Sequence, residues 1–138
     1  MKSEVTIKIT GIHGTGEDKN IVTSCYNGRY FEKNSKQYLM YSEKDAESGD
    51  VRNSMIVIDG HDVTVEHKGH TDAKMLYIMG ETTRSMYVTP AGSMLIEICT
   101  RSIELEQRGN RLSLTIDYDM GFGEGEKQPA RIIVEAKD

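Results

Sequence analysis

The chain has 138 residues, of which 28% are charged, and a formal net charge of −5. This length suits a single domain, residues 1–138, with a hydrophobic core of its own, and the acidic balance argues against a nucleic-acid or anionic-membrane partner. No apolar run approaches the roughly 20 residues that a transmembrane helix needs, and no signal-peptide core precedes the first alternating residues, so we expect a cytoplasmic protein.

Apolar and polar residues alternate along the first third of the chain, which is typical of half-buried β-strands. The alternation predicts strands at Val5–Ile12, Ile21–Glu32 and Gln37–Ser42. Gly28 interrupts the second of these and predicts a bend or bulge there. A tight turn at Asn34-Ser35 would place Phe31 opposite Tyr38 and join the second and third strands as a hairpin.

The middle of the chain predicts four more strands with short links, at Asn53–Ile58, His61–His67, Lys74–Met79 and Arg84–Thr89. Asp59-Gly60 is the strongest hairpin signal, because a type I′ turn needs positive φ at both central residues. With these two residues as the loop, Ser54 lies opposite Val65. The four strands would then continue an antiparallel meander.

The stretch Met94–Met120 is the longest alternating segment, with Gly109-Asn110 at its centre. It predicts a long β-hairpin in which Leu105 faces Leu114. A loop over Gly121–Pro129 and a last strand at Arg131–Ala136 follow it. The glycine-rich part of that loop, Gly121–Gly125, precedes a strand and not a helix, so we interpret it as a plain loop and not as a phosphate site.

The apolar phase changes within the first arm of this hairpin. Apolar residues fall on even positions up to Ile98 and on odd positions from Ile103 onward. A strand cannot exchange its faces without an extra residue, so we predict a bulge or bend within Cys99–Ser102. The alternative is that Arg101 points inward.

About ten strands joined almost entirely by hairpin links predict an all-β, antiparallel up-and-down meander. A meander has two unpaired edges, and closing it into a single barrel of eight to ten strands removes them. A two-sheet β-sandwich is the alternative. Several strands, such as Met55–Ile58, are apolar on both faces, which predicts that another chain, as in a homodimer, or a loop covers the outer face.

Residues that carry chemistry are few, and none forms a recognised catalytic motif. Cys25 and Cys99 could form a disulfide by count, but a reducing cytoplasm favours two buried thiols. His61 and His67 share a strand face, but six residues of strand separate them by about 20 Å, which is too far for a shared metal ion. We therefore expect no metal, no cofactor and no enzymatic activity.

The best candidates for a ligand site are polar and aromatic side chains near the predicted bulge and on the tyrosine-bearing strands. Glu97 and Arg101 lie close together there, and a charge that points into a core has to be paired. An ordinary surface ion pair is the alternative for both. With a second arginine and two tyrosines that suit a barrel mouth, the predicted ligand-binding residues are Arg101, Glu97, Arg84, Tyr38 and Tyr118.

Three stretches resemble a bacterial family of unknown function represented by YwiB. They are Gly28–Tyr41, the segment from Thr89-Pro-Ala-Gly92 to Ile98, and Leu112–Tyr118. The resemblance implies a calycin-type, lipocalin-like β-barrel, and it brings no agreed activity and no catalytic residues. The chain has no Trp, so it lacks the Gly-x-Trp signature of secreted lipocalins.

These observations predict a non-enzymatic barrel that binds a small, mostly apolar ligand at one open end, since barrels of this size can hold one such ligand. The alternative is an interaction module with a filled core and an exposed apolar sheet face. A third possibility is an enzyme that uses polar residues of the mouth. The interior decides between them. A cavity favours binding, a filled centre favours the interaction module, and a polar cluster with strongly perturbed pKa values favours the enzyme.

Overall fold

The described part of the chain forms ten β-strands, in which inward apolar and outward polar side chains alternate. The computed structural model describes residues 1–123 and 125–138, apart from the side chain of residue 18. The strands are β1 (Glu4–His13), β2 (Asn20–Lys33), β3 (Lys36–Lys44), β4 (Val51–Asp59), β5 (Asp62–Gly69), β6 (Ala73–Ile78), β7 (Thr82–Thr89), β8 (Gly92–Arg108), β9 (Arg111–Phe122) and β10 (Gln128–Lys137). A 3-10 turn, Gly16–Asp18, lies between β1 and β2. No helix in the described residues is long and apolar enough to cross a membrane.

The strands form one antiparallel sheet whose order is β6-β5-β4-β3-β2-β1-β10-β9-β8-β7. The first and last strands of the chain, β1 and β10, are therefore neighbours. The two edge strands, β6 and β7, also lie side by side, and a backbone bridge joins Asp72 to Val88 between them. The sheet curls into a nearly closed up-and-down barrel, which confirms the predicted barrel and replaces the two-sheet alternative.

Side chains hold the seam between β6 and β7 where the described residues show no continuous backbone ladder. Thr83 Oγ1 donates a hydrogen bond to the carbonyl of Leu76, and Ser85 Oγ donates one to the carbonyl of Lys74 at 2.6 Å. The backbone N–H of Gly80, in the turn after β6, also donates a hydrogen bond to the carbonyl of Thr100 on β8, at 2.9 Å. These bonds satisfy edge carbonyls that would otherwise lack a strand partner.

The barrel has two unlike ends. Among the described residues, the lower end holds the short turns at 34–35, 60–61, 79–81 and 109–110, and the upper end holds the connections at 14–19, 45–50, 70–72 and 90–91. Inward side chains toward the lower end, such as Ile7 and Leu39, are fully buried, whereas the inward Val22 and Met94 at the upper end are 54% and 43% exposed. The barrel is thus filled below and open above.

The loop predicted over Gly121–Pro129 falls partly outside the described residues, because it contains residue 124. β9 continues through Phe122 before that point, so the predicted loop begins later than expected.

The hairpin between β2 and β3 has the predicted geometry. Asn34 and Ser35 have φ angles of 54° and 65°, which is the left-handed backbone that a type I′ turn requires. Phe31 pairs with Tyr38, and their rings stack with centroids 4.6 Å apart. The turn therefore sets this register as the sequence predicts.

The predicted register between β4 and β5 is wrong by two residues. The loop residues are Gly60 and His61, and Ser54 lies opposite His67. Gly60 has a φ of 61°, while Asp59 stays in the strand. The physical reason is steric, because a left-handed backbone costs an L residue about 1–2 kcal/mol and costs glycine almost nothing.

The predicted bulge in β8 is confirmed. Thr100 and Ser102 face consecutive residues of β9, so Arg101 is the one extra residue between them. This insertion lets both Ile98 and Ile103 point into the barrel, where both are buried. The alternative of an inward Arg101 is wrong, since its side chain is 46% exposed on the outer face.

Both cysteines are free, and neither matches the expectation of a buried thiol. Cys25 is exposed and Cys99 is half-buried. Each occupies an outward position of its strand, where Cys25 pairs with Lys8 and Cys99 with Asp119. Alternation places these side chains among charged residues and away from the core.

Candidate functional site

A gap opens in the barrel wall between the upper halves of β2 and β3. The ladder between these strands runs only from the lower turn up to the pair Arg29–Met40. Above it, β2 is paired only with β1 and β3 only with β4. Gly28 sits where the strands part, and a Cβ there would lie 2.5 Å from both the Ile7 side chain and the Met40 carbonyl. Only glycine fits this close approach.

A cavity of about 230 Å³ lies behind this gap. Its wall is mostly apolar and comes from the inward positions of β1 to β6, β9 and β10. The lining residues are Ile9, Gly11, Val22, Ser24, Tyr26, Tyr41, Glu43, Arg52, Ile56, Val63, Val65, His67, Met75, Tyr77, Leu114, Ile116, Ile132 and Val134. The polar members cluster toward the upper end, so the cavity has an apolar floor and a polar mouth.

Tyrosines form one side and part of the floor of the cavity. Tyr26 on β2 and Tyr41 on β3 stack across the gap, with ring centroids 4.5 Å apart and planes 24° apart. Tyr77 on the floor meets Tyr118 edge to face, with centroids 5.1 Å apart. Burial raises the pKa of Tyr41 to about 12, and it also raises the pKa of Tyr77. Both hydroxyls therefore stay protonated at neutral pH.

An ion pair between the neighbouring strands β3 and β4 lies at the mouth. Arg52 donates to Glu43 Oε1 through Nε at 3.1 Å and also through Nη2. Its Nη1 lies 3.4 Å from the hydroxyl of Tyr87, on the far side of the seam. Burial by itself would lower the pKa of the Arg52 guanidinium, but the hydrogen bond and charge of Glu43 outweigh it and raise that pKa. The Arg52 guanidinium therefore stays charged at neutral pH, and Glu43 is its ion-pair partner.

A buried Ser–His pair lies beside the ion pair. Ser54 Oγ and His67 Nδ1 are 2.7 Å apart. Burial lowers the pKa of His67 to about 4, and the Arg52 charge acts in the same direction, with Glu43 opposing it. The imidazole is therefore neutral at pH 7, and Nε2 is the ring nitrogen that Ser54 does not engage.

The charged residues predicted from sequence lie on the outer face of the barrel. Arg84 and Glu97 are cross-strand partners, 2.8 Å apart, and Lys127 reaches the same carboxylate at 2.7 Å. Arg101 pairs with Asp119, also outside. The prediction that Arg84, Glu97 and Arg101 line a mouth is thus corrected, because alternation along β7 and β8 and the bulge itself turn them outward.

The two predicted tyrosines are separated by the barrel wall. Tyr38 stacks on Phe31 at the outer surface. Tyr118 is buried in the interior, where it packs against Tyr77. The five predicted side chains are therefore not brought together, and only Tyr118 lies near the cavity.

The sequence analysis did not place four polar residues at the cavity. Glu43, Arg52 and His67 line it, and Ser54 lies beside it, 2.7 Å from His67 Nδ1. The predicted strands Gln37–Ser42 and Asn53–Ile58 stop one residue short of Glu43 and Arg52, although both residues lie inside strands. The signal was present in the alternation, because Arg52 and Ser54 share the parity of the buried residues that follow them on β4.

The histidines lie apart. His61 occupies the lower turn, His67 faces the interior, and His70 is in the upper connection with Nδ1 3.5 Å from Asp50. Within residues 1–123 and 125–138, no three His, Cys, Asp or Glu side chains form a group that could hold a metal ion.

The fold and the cavity together define a small, nearly closed β-barrel with an apolar interior and a charge-balanced polar mouth. Residues 7–132 match the family described as Domain of unknown function (DUF1934), and the chain belongs to this family.

Comparisons with single proteins agree with this assignment. The chain is 25% identical over 126 residues to the "Uncharacterized beta-barrel protein YwiB" of Bacillus subtilis (strain 168), covering 90% of this chain and 87% of that protein. The crystal structure of the ywiB protein from Bacillus subtilis superposes with a TM-score of 0.81 at 19% identity, covering 99% of this chain and 93% of that one. The resemblance seen in the sequence is confirmed, and the family carries no enzymatic name.

Proposed function

We propose that this protein binds one small, mostly apolar ligand in the cavity at the upper end of the barrel. The observation that carries the proposal is the cavity of about 230 Å³ behind the gap between β2 and β3. An apolar wall with a few convergent polar groups is the usual make-up of a small-molecule site. A filled interior would have favoured the interaction module instead.

The cavity limits the size of the ligand. Drug-sized ligands occupy about 300–1,000 Å³, whereas an engineered apolar cavity of about 150 Å³ holds benzene. A volume of about 230 Å³ lies between these cases and suits a single ring or a short chain. Met75 on the floor adds an adaptable contact, because its unbranched side chain adjusts to different shapes.

The route into the cavity is the gap itself. Ser24 is half-buried, faces inward and lines the cavity beside the gap, while its neighbour Thr23 points outward and is exposed. The stacked rings of Tyr26 and Tyr41 span the gap below them. Entry by this route would unpair no strand, because the ladder between β2 and β3 ends at Arg29–Met40.

We propose that the activity is binding and not catalysis. Ser54 and His67 are the arrangement closest to a nucleophile with its base. A general base works best when its pKa lies near the operating pH, and a histidine with a pKa of about 4 is too weak a base at neutral pH. Ser54 and His67 therefore act at the mouth as a neutral hydrogen-bonded pair.

The proposed setting is the bacterial cytoplasm, with the barrel used as a lipocalin-like container. The bacterial relative supports the source. Cys25 and Cys99 are both free, and free thiols are typical of a reducing compartment.

The test combines native mass spectrometry, an NMR titration with 1-hexanol and a variant whose cavity is filled by a larger side chain. Protein purified from its own host should carry a bound small molecule, and NMR should show saturable shifts at cavity residues with 1-hexanol. Ser24→Trp should abolish both signals by filling the cavity, while Thr23→Trp, one residue away on the outer face, should leave them unchanged. Bare protein together with no response to 1-hexanol would refute the proposal.

A second candidate is self-association through the outer face of β7 and β8. Met86 and Leu95 are direct cross-strand partners, and Val88 lies beside them; these residues are 54%, 40% and 39% exposed. Exposed contiguous apolar side chains mark interaction surfaces. Light scattering at tens of micromolar decides this candidate, because a monomeric mass excludes the homodimer and a dimeric mass that Met86→Lys abolishes supports it.

A further inference from the structure

We infer that the cavity takes an uncharged ligand, a short apolar body with one hydroxyl- or amide-type end, and that it discriminates against carboxylates and amines of the same size. The inference rests on the proposed binding function and adds the chemical class of the ligand. It follows from the charge balance at the mouth and from the atoms that the mouth offers.

The charges that line the cavity cancel. Glu43 and Arg52 are the formally charged side chains in its described lining, and they are joined by two hydrogen bonds. Their side chains are 27% and 24% exposed. His67 adds no charge at neutral pH. An ionised ligand therefore finds no uncompensated partner in the cavity.

A charged ligand would have to break this pair. A carboxylate could reach the Arg52 guanidinium only by competing with Glu43, and an ammonium group could reach Glu43 only by competing with Arg52. Either exchange leaves one partly buried charge unpaired, which is strongly unfavourable. The rim adds Lys44, Asp45 and Asp50, so it supplies no excess of positive charge for an anion.

The mouth is suited to a group that both donates and accepts a hydrogen bond. The two hydrogen bonds that Arg52 donates to Glu43 both end on Oε1, and a carboxylate accepts at about four lone-pair sites, so Glu43 keeps acceptor capacity for a further donor. The neutral His67 ring and the Tyr41 hydroxyl line the same cavity. An alcohol or amide has both a donor and an acceptor, and it satisfies such a mixed set without disturbing the ion pair.

The experiment uses three probes that share one chain length and differ in charge: 1-hexanol, hexanoate and hexylammonium, titrated at pH 7 and constant ionic strength. We expect 1-hexanol to bind about tenfold more tightly than either ion, because each ion must displace a partner of the pair. Hexanoate or hexylammonium binding as tightly as 1-hexanol would overturn the inference and leave the proposed function standing. Failure of all three probes to bind would overturn the inference, and together with bare protein in native mass spectrometry it would overturn the proposed function as well.

Variants of the pair make the test reciprocal. Glu43→Gln leaves the Arg52 charge uncompensated and should make hexanoate the preferred probe. Arg52→Gln should do the same for hexylammonium. The double variant, Glu43→Gln with Arg52→Gln, is neutral again and should restore the preference for 1-hexanol. An unchanged ranking in folded single variants contradicts the inference, and if a single variant fails to fold, the wild-type and double-variant rankings decide it.

Discussion

Ser54 Oγ lies 2.7 Å from His67 Nδ1, and both side chains are buried where β4 pairs with β5. The contact exists because Gly60 and His61 form the turn, which sets Ser54 directly opposite His67. The imidazole is thereby held in the interior with a hydrogen-bond partner but without a counter-charge in contact. Folding therefore disfavours its protonation.

The free energy of unfolding should fall as the pH is lowered through the range in which His67 is protonated in the unfolded chain but still neutral in the folded protein. The pKa of His67 is about 4 in the folded protein, against about 6.5 for a histidine in an unfolded chain. As the pH falls, the unfolded chain takes up the proton first. The contribution of the neutral His67 to the free energy of unfolding is therefore complete above pH 6.5 and is lost as the pH falls to 4. The loss amounts to about 3 kcal/mol.

Urea unfolding between pH 4.5 and 7.5 checks this expectation. The His67→Gln variant should have a shallower pH dependence than the wild type, because it lacks the titrating group. His61→Gln, in the exposed lower turn, is the matched control and should follow the wild-type curve. Parallel curves for the wild type and His67→Gln would contradict the assignment.

The same contact shows where sequence reasoning succeeds and where it stops. The parity change between Ile98 and Ile103 predicts the bulge, because a one-residue slip would expose a whole apolar row. A slip of two residues keeps every side chain on its face, so the pattern alone could not distinguish the two registers at Gly60. The Ser54–His67 pair depends on that choice and was therefore missed.

The candidate site was harder to predict than the barrel for a second reason. Inward polar residues such as Glu43 and Arg52 resemble loop residues when a sequence is read alone, since most charged residues face water. Their pairing becomes visible only when β3 and β4 are aligned, where they are direct partners. The prediction for Arg101 was wrong for the opposite reason. Arg101 was predicted to line the site because it lies at the bulge, but the bulge turns its side chain outward.

Gly28→Ala should destabilise the barrel. The added Cβ would lie 2.5 Å from Ile7 Cδ1 and from the backbone carbonyl of Met40, and a carbonyl cannot move aside cheaply. Overpacking of this kind costs about 1–3 kcal/mol, measured by chemical denaturation. Gly11→Ala is the matched control, because a Cβ there meets only His13 Nε2 at 3.7 Å, an ordinary contact. Equal stability of the two variants would show that the strands part for another reason.

Ser35→Gly should stabilise the protein. Ser35 has a φ of 65° in the turn between β2 and β3, and relieving that left-handed conformation outweighs the greater flexibility of glycine in the unfolded chain by about 0.5–1 kcal/mol. Thermal unfolding measures the gain. Ser35→Ala keeps a Cβ and should show none, so an equal gain from alanine would point to loss of the hydroxyl as the cause.

The seam between β6 and β7 should open locally when its hydroxyls are removed. Thr83→Val with Ser85→Ala deletes the donors to the carbonyls of Leu76 and Lys74, at a cost of about 1 kcal/mol for each lost bond. Hydrogen exchange should then accelerate in peptides of β6 and β7 and stay unchanged in β1 and β10, where the ladder is continuous. Thr10→Val removes a hydroxyl from such a ladder and should have no local effect. A uniform acceleration over the whole barrel would show instead that the hydroxyls contribute only to global stability.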